Sequence, residues 1–218
     1  RYAFYAGKTK EAYRAIRQTA EYPLDTDRQT MLVRPLYLDL LDERQTKYAK
    51  EHLIKAMGNY GWRVGTGFLS TPLILDVLAD IDVEYAYKLL ENEEMPGWLF
   101  MPKIGATTIW ESWEGTQAQG GIASLDHYSK GAVLEWVFSK MCGITVAGEN
   151  KFRIAPMPGG SFSFAKTTYK SVYGEVTSGW EKTEIGWKYF FCVPSNTMAE
   201  VVLPDGRKKT VAAGRSVF

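Results

Sequence analysis

Residues 71–90 read TPLILDVLADIDVEYAYKLL, and their spacing makes two helices joined by a short turn. Thr71-Pro72 is a start signal, because proline has no N–H to lose at the first helical position. Leu75, Leu78 and Ile81 follow at helical spacing. Asp82 reads as the N-cap of a second helix that carries Tyr85, Ala86, Leu89 and Leu90. A connection this short folds the two helices back on each other as an antiparallel hairpin.

The same grammar extends outward. Residues 29–41 place Leu32, Val33, Leu36 and Leu40 on one face. Asp42 then starts another helix, with Gln45 three residues later in a capping-box pattern, and that helix runs through Leu53, Ile54 and Met57 toward Gly61. Residues 2–18 carry Ala and aromatics at helical spacing. Ser124 reads as the cap of a last long helix, with Ala132, Val133, Trp136, Val137 and Met141 as its buried stripe. Successive hairpins of this kind close into an α/α toroid, and about six helices make half of one.

After Gly143 the period changes from helical to alternating. Residues 152–155, 162–166, 172–177, 187–193 and 199–203 read as strands, and Pro204-Asp205-Gly206 as a turn. The expected fold class is therefore mainly α with an appended all-β domain. A partial α/α toroid over 1–143 is followed by a small antiparallel β-sandwich over 144–218.

Composition narrows the function. Lys and Arg are dispersed among Asp and Glu for a net charge of +1, so no basic stripe offers itself to nucleic acid. No apolar run is long enough to span a membrane, and no signal peptide or compartment can be read. The two cysteines, Cys142 and Cys192, are far apart and read as buried thiols, with no metal spacing. No cofactor is expected. The chain opens on Arg1 inside a helical pattern, which makes it read as a piece of a longer protein.

The chemistry concentrates in Thr107-Thr108-Ile109-Trp110-Glu111-Ser112-Trp113-Glu114-Gly115. An indole beside a carboxylate suits a sugar: the C–H face of a pyranose packs on the ring and the acid handles a proton. Alternating Trp and Glu also suit a strand or helix end with one buried face. One of Trp110 and Trp113 is expected in the core rather than the site, but a spacing of three puts them on one side of a helical turn and on opposite sides of a strand, so the sequence does not decide. His127, one of two histidines, reads on its own as a satisfied helix-terminus residue. Asp126 caps or orients it. Tyr128 reads as packing and His52 as exposed. Gly65, Gly67 and Phe68 form a turn that can admit close approach.

Three blocks carry a resemblance: Gly65–Pro72, Thr107–Gly115, and Ser124-Leu125-Asp126-His127-Tyr128-Ser129-Lys130-Gly131-Ala132-Val133-Leu134-Glu135-Trp136. In this order they resemble the C-terminal part of the α-L-rhamnosidases, glycoside hydrolase family 78. The stretches 173–176 and 193–204 resemble that family's C-terminal β-sandwich. The resemblance implies the second half of an (α/α)6 catalytic barrel and an enzyme that removes terminal α-L-rhamnose from glycans or glycosides with inversion. It implies Glu111 as general base, with Glu114, a looser match, as the alternative base. It also implies Trp110, Trp113 and His127 as substrate-binding residues; the residues themselves show no metal constellation in this segment. The general acid of that family lies earlier in the barrel, and no matching motif occurs here. The partners implied are a rhamnose-containing glycan or glycoside and the missing N-terminal domains of the same polypeptide. Alone, the chain is expected not to turn over substrate. The alternative is a non-catalytic carbohydrate-binding protein on a remnant of a helical toroid.

Overall fold

The computed structural model describes residues 26–118 and 120–218, together with residues 8, 10, 11 and 24. Most of the helix expected over 2–18 lies outside these residues. The chain packs as two compact units, 1–132 and 133–218.

In the first unit, α1 (Gln29–Tyr37) buries Leu32 and Val33 completely. It ends four residues before its expected limit because Asp39 turns left-handed at φ 49° and the Leu40 N–H closes on the Pro35 carbonyl at 3.0 Å. The capping box of α2 (Glu43–Asn59) forms in full. The Gln45 N–H donates to Asp42 Oδ1 at 2.8 Å, and the Asp42 N–H donates to Gln45 Oε1 at 3.1 Å. Ala49, Leu53, Ala56 and Met57 line its inner face. Helices α1 and α2 pack against each other as neighbours.

A 3-10 turn, Thr71–Leu73, with Pro72 inside its start, leads into α3 (Ile74–Ala79). Ile81 falls just beyond α3 and is only half-buried. The Asp82 carboxylate accepts from the Glu84 N–H at 3.0 Å and starts α4 (Val83–Leu90), which packs back on α3 through Ala86, Tyr87, Leu89 and Leu90. This is the expected hairpin. Helix α5 (Phe100–Lys103) and helix α6 (Tyr128–Gly131) are single turns flanking a long irregular segment. Ser124 does not cap α6. Its hydroxyl donates to the Asp126 carbonyl at 2.9 Å, and the N-cap position falls to His127. No helix among the described residues is long and apolar enough to cross a membrane.

The second unit begins with α7 (Val133–Trp136) and a wider π turn, Val137–Met141, closed by the Cys142 N–H on the Val137 carbonyl at 3.0 Å. The expected long helix is thus in short pieces. Val133, Trp136 and Met141 are buried, and Ala132 and Val137 only partly. Gly143, at φ +80°, turns the chain from helix to strand where any Cβ would meet the Ala155–Pro156 peptide. Secondary structure changes here, while packing divides the chain earlier for a physical reason. Trp180 Nε1 donates to the Met141 carbonyl at 2.8 Å and the Ser178 hydroxyl to the Cys142 carbonyl at 2.5 Å, so the sheet holds the end of the π turn.

Six strands follow: β1 (Ile144–Gly148), β2 (Lys151–Ile154), β3 (Phe164–Ser171), β4 (Gly174–Thr183), β5 (Gly186–Val202) and β6 (Lys208–Val217). All pairs are antiparallel except β2 with β5. Strand β5 takes in the strand expected over 187–193 and all but Leu203 of the one expected over 199–203. One stretch of it pairs with β4 and the next with β2, while β6 pairs with both stretches. Residues 194–197 form an irregularity in which Asn196 adopts φ 61° and Thr197 bonds back to Pro194, so the strand bends without leaving the sheet. The unit's core is Phe152, Ile154, Val176, Trp180, Phe191, Val193, Ala199 and Val201. Strands β1 and β6 have no counterpart in the sequence reading. Both are mostly exposed, with a single buried residue each and no alternation to detect.

Candidate active site

Between α5 and α6 the chain forms a clasp whose two arms are stitched by hydrogen bonds. The Glu111 N–H donates to the Ser124 carbonyl at 2.8 Å, and the His127 N–H donates to the Ile109 carbonyl at 2.8 Å. The Thr108 hydroxyl donates to the Leu125 carbonyl. The Ser124 N–H returns to Glu111 Oε2 at 3.1 Å. Glu111 is therefore fixed at backbone and side chain by one residue of the opposite arm. Its Oε1 has no hydrogen-bond partner among the described residues. The clasp brings the segments that carry Glu111 and His127 side by side.

The two tryptophans part company. Trp110 is 8% exposed, its N–H points at Met101 Sδ, and its six-membered ring lies over Gly115 so closely that a Cβ there would overlap Cε3 and Cζ3. That is a place in the packing, with little of the ring left open to solvent. Trp113 is half-buried. Trp98 packs on it in a T-shape with centroids 6.2 Å apart at 79°, and the Lys130 ammonium sits 3.8 Å from its ring centroid.

Glu114 is exposed. Its own backbone N–H, then the Ser112 hydroxyl at 2.9 Å, and last the Lys130 charge hold its carboxyl below the usual range. The His127 ring lies between Phe68, with centroids 4.5 Å apart, and Tyr128, at 5.1 Å. Its Nδ1 is buried and has no hydrogen-bond partner among the described residues. Tyr128 was expected to pack and is instead 86% exposed. His52, expected to be exposed, is half-buried and stacks on Tyr48 at 4.3 Å.

The turn at residues 65–70 reaches the same place. Gln29, buried, accepts from the Gly65 N–H at 2.8 Å and donates to the Arg63 carbonyl at 2.9 Å, pinning the start of the turn to α1. The Ser129 hydroxyl donates to the Phe68 carbonyl at 2.6 Å, which ties its far end to α6. Phe68 itself remains 44% exposed beside His127.

Lys130 escaped the sequence reading, because a lysine in a helical stretch ordinarily reads as solvated. Here it is 4% exposed. Its ammonium donates to the Glu111 carbonyl. Burial pushes its pKa down to about 8, opposed by the charges of Glu114 and Glu111. The folded-state value lies below the unfolded 10.5. Between these two values the unfolded chain keeps a proton that the folded chain has released, so raising the pH through this window favours folding. Wild type should gain thermal stability relative to Lys130→Met as pH rises from about 8 toward 10.5. A difference in melting temperature that stays flat or shrinks across that window contradicts the buried ammonium.

Among the described residues no group of three His, Cys, Asp or Glu gathers as a metal site. Cys142 is buried and its thiol is pushed up to about 11, while Cys192 is half-buried.

Residues 1–141 match the family model of the bacterial alpha-L-rhamnosidase six-hairpin glycosidase domain, and residues 145–218 that of the bacterial alpha-L-rhamnosidase C-terminal domain. The alpha-L-rhamnosidase of Streptomyces avermitilis is 32% identical over 97% of this chain and 21% of its own length. That of Formosa agariphila is 35% identical over 88% of this chain and 22% of its own. Among solved structures, the rhamnosidase of Aspergillus terreus superposes with a TM-score of 0.85 and 28% identity, over 98% of this chain and 26% of its own. The Streptomyces avermitilis enzyme complexed with L-rhamnose gives 0.80 and 31%, over 88% of this chain and 22% of its own. The chain thus spans about a fifth to a quarter of the length of these relatives.

Proposed function

The chain belongs to the bacterial α-L-rhamnosidase family, and on that premise we propose that it forms one wall of an inverting α-L-rhamnosidase active site in which Glu111 is the general base. The observation that carries this reading is the clasp. It holds Glu111 through Ser124 at both backbone and Oε2 and leaves Oε1 for a water. A base needs that arrangement, since proton transfer depends first on a fixed geometry.

In the step proposed, Oε1 takes a proton from water as the water oxygen bonds to the anomeric carbon of rhamnose. The glycosidic C–O bond breaks on the opposite face. The departing oxygen takes its proton from a general acid, which we place in the N-terminal part of the same polypeptide. Inverting pairs of carboxyls stand about 6.5–9.5 Å apart, leaving room for that water. His127 Nδ1, buried and without a hydrogen-bond partner among the described residues, suits a sugar hydroxyl donor. The exposed part of Trp113, with Phe68, offers the C–H face of the pyranose an apolar surface. Glu114 is solvated and committed to Ser112 and its own backbone, which suits a structural carboxylate. The division of labour is barrel over 1–143 and C-terminal sandwich over 144–218.

The test is release of phenol from an aryl α-L-rhamnoside by the full-length protein. Hydrolysis supports the reading. Binding of rhamnose without any hydrolysis would leave the non-catalytic carbohydrate-binding protein in its place.

A further inference from the structure

Lys130 lies beneath the proposed site and has no part in the reaction as described. A charged side chain at 4% exposure is costly unless its surroundings answer the charge. Four groups do so here. The Glu111 carbonyl accepts from Nζ, the Trp113 ring lies 3.8 Å from it, and the Glu114 and Glu111 carboxylates favour its charged form. The hydrogen bond goes to the backbone of Glu111 and not to its carboxylate, so it fixes the residue without occupying the oxygens that would meet water.

The anchor is itself anchored. Trp98, 3% exposed, donates from Nε1 to the Lys130 carbonyl at 3.0 Å and packs T-shaped with Trp113. Lys130, Trp98 and Trp113 thus close a three-membered ring of contacts beneath the clasp. On the same turn of α6, Ser129 holds the Phe68 carbonyl, and His127 begins the turn. One helical turn of four residues therefore fixes Glu111, Trp113, Phe68 and His127 relative to one another.

We propose that Lys130 is a positioning residue for catalysis, its ammonium locking the Glu111 backbone and the Trp113 ring in the arrangement that the reaction uses. This rests on Glu111 being the base. A neutral side chain of the same length can cover Trp113 but cannot donate to the Glu111 carbonyl, so it frees the segment carrying the carboxylate. A displacement of about 1 Å costs on the order of 10²-fold in rate.

The experiment is a double-mutant cycle on kcat in the full-length enzyme with an aryl α-L-rhamnoside. Lys130→Met should lower kcat on the order of 10²-fold, with KM changing far less. In a Glu111→Gln background the same substitution should cost no more than about twofold, because there is no base left to misplace. Lys130→Arg keeps the cation and should retain kcat within about tenfold of wild type, which keeps the proposal testable if Lys130→Met does not fold. Equal losses in both backgrounds, an unchanged kcat in Lys130→Met, or a folded Lys130→Arg enzyme with kcat reduced on the order of 10²-fold or more would each overturn the proposal. If Glu111→Gln alone stays within about tenfold of wild type, the base assignment falls and the proposal with it. If that variant is inactive and the cycle is additive, only the positioning role falls.

Discussion

Glu111→Gln in the full-length enzyme is expected to lower kcat by several orders of magnitude while leaving KM nearly unchanged. The amide has the shape of the carboxylate and can still sit in the clasp against the Ser124 N–H. It cannot take a proton, and it carries no negative charge to offset the positive charge of the transition state. The loss should therefore exceed the roughly 10²–10⁴-fold that general base catalysis alone contributes. An unchanged KM with a lost kcat means that the interaction belongs to the transition state. Glu114→Gln should be far milder, because that carboxylate faces solvent and bonds to Ser112. His127→Ala should change kcat and KM together through lost hydroxyl contacts. The assay is phenol release by matched variants. A near-normal Glu111→Gln enzyme beside an inactive Glu114→Gln enzyme would transfer the role to Glu114.

Gly115→Ala is the second large effect. Gly115 adopts φ +54°, and its missing Cβ makes room for the Trp110 ring. An alanine there faces a left-handed backbone cost of about 1–2 kcal/mol and an overpacking cost of about 1–3 kcal/mol. The Trp110 ring is nearly buried, so it has little room to move away from an added Cβ. The expected result is a destabilisation of about 2–5 kcal/mol in chemical denaturation of the unit that carries the clasp, with loss of activity as Glu111 shifts. An alanine variant as stable as wild type would mean that Trp110 does not lie on Gly115.

What the sequence made legible was local. The Asp42–Gln45 capping box spans four residues, and the Asp82 cap spans three, so neither depends on tertiary context. The hairpin of α3 and α4 followed from these signals and the apolar spacing between them. Strand β6 was illegible because only Val211 in it is buried, and β5 looked like two strands because Pro194 reads as a break. Burial of a few non-local contacts decided the rest. Trp110 and Trp113 sit in a segment with neither helical nor strand period, so spacing could not sort them, and the close contact of one ring with Gly115 did. Lys130 was hidden for the same reason. Its acceptor is nineteen residues earlier in the chain and its ring partner seventeen, and neither pairing leaves a periodic trace. Glu111 and His127 were found through a motif resemblance, and the hydrogen bonds between their arms supply the physical reason for their association.

The most direct measurement is the anomeric configuration of the first product. Proton NMR can follow an aryl α-L-rhamnoside as the full-length enzyme cleaves it, before mutarotation mixes the anomers. A water activated by Glu111 on the face opposite the leaving group yields β-L-rhamnose first, with the α-anomer appearing only later. Initial formation of α-L-rhamnose, or no rhamnose at all, would contradict Glu111 as the general base of an inverting rhamnosidase.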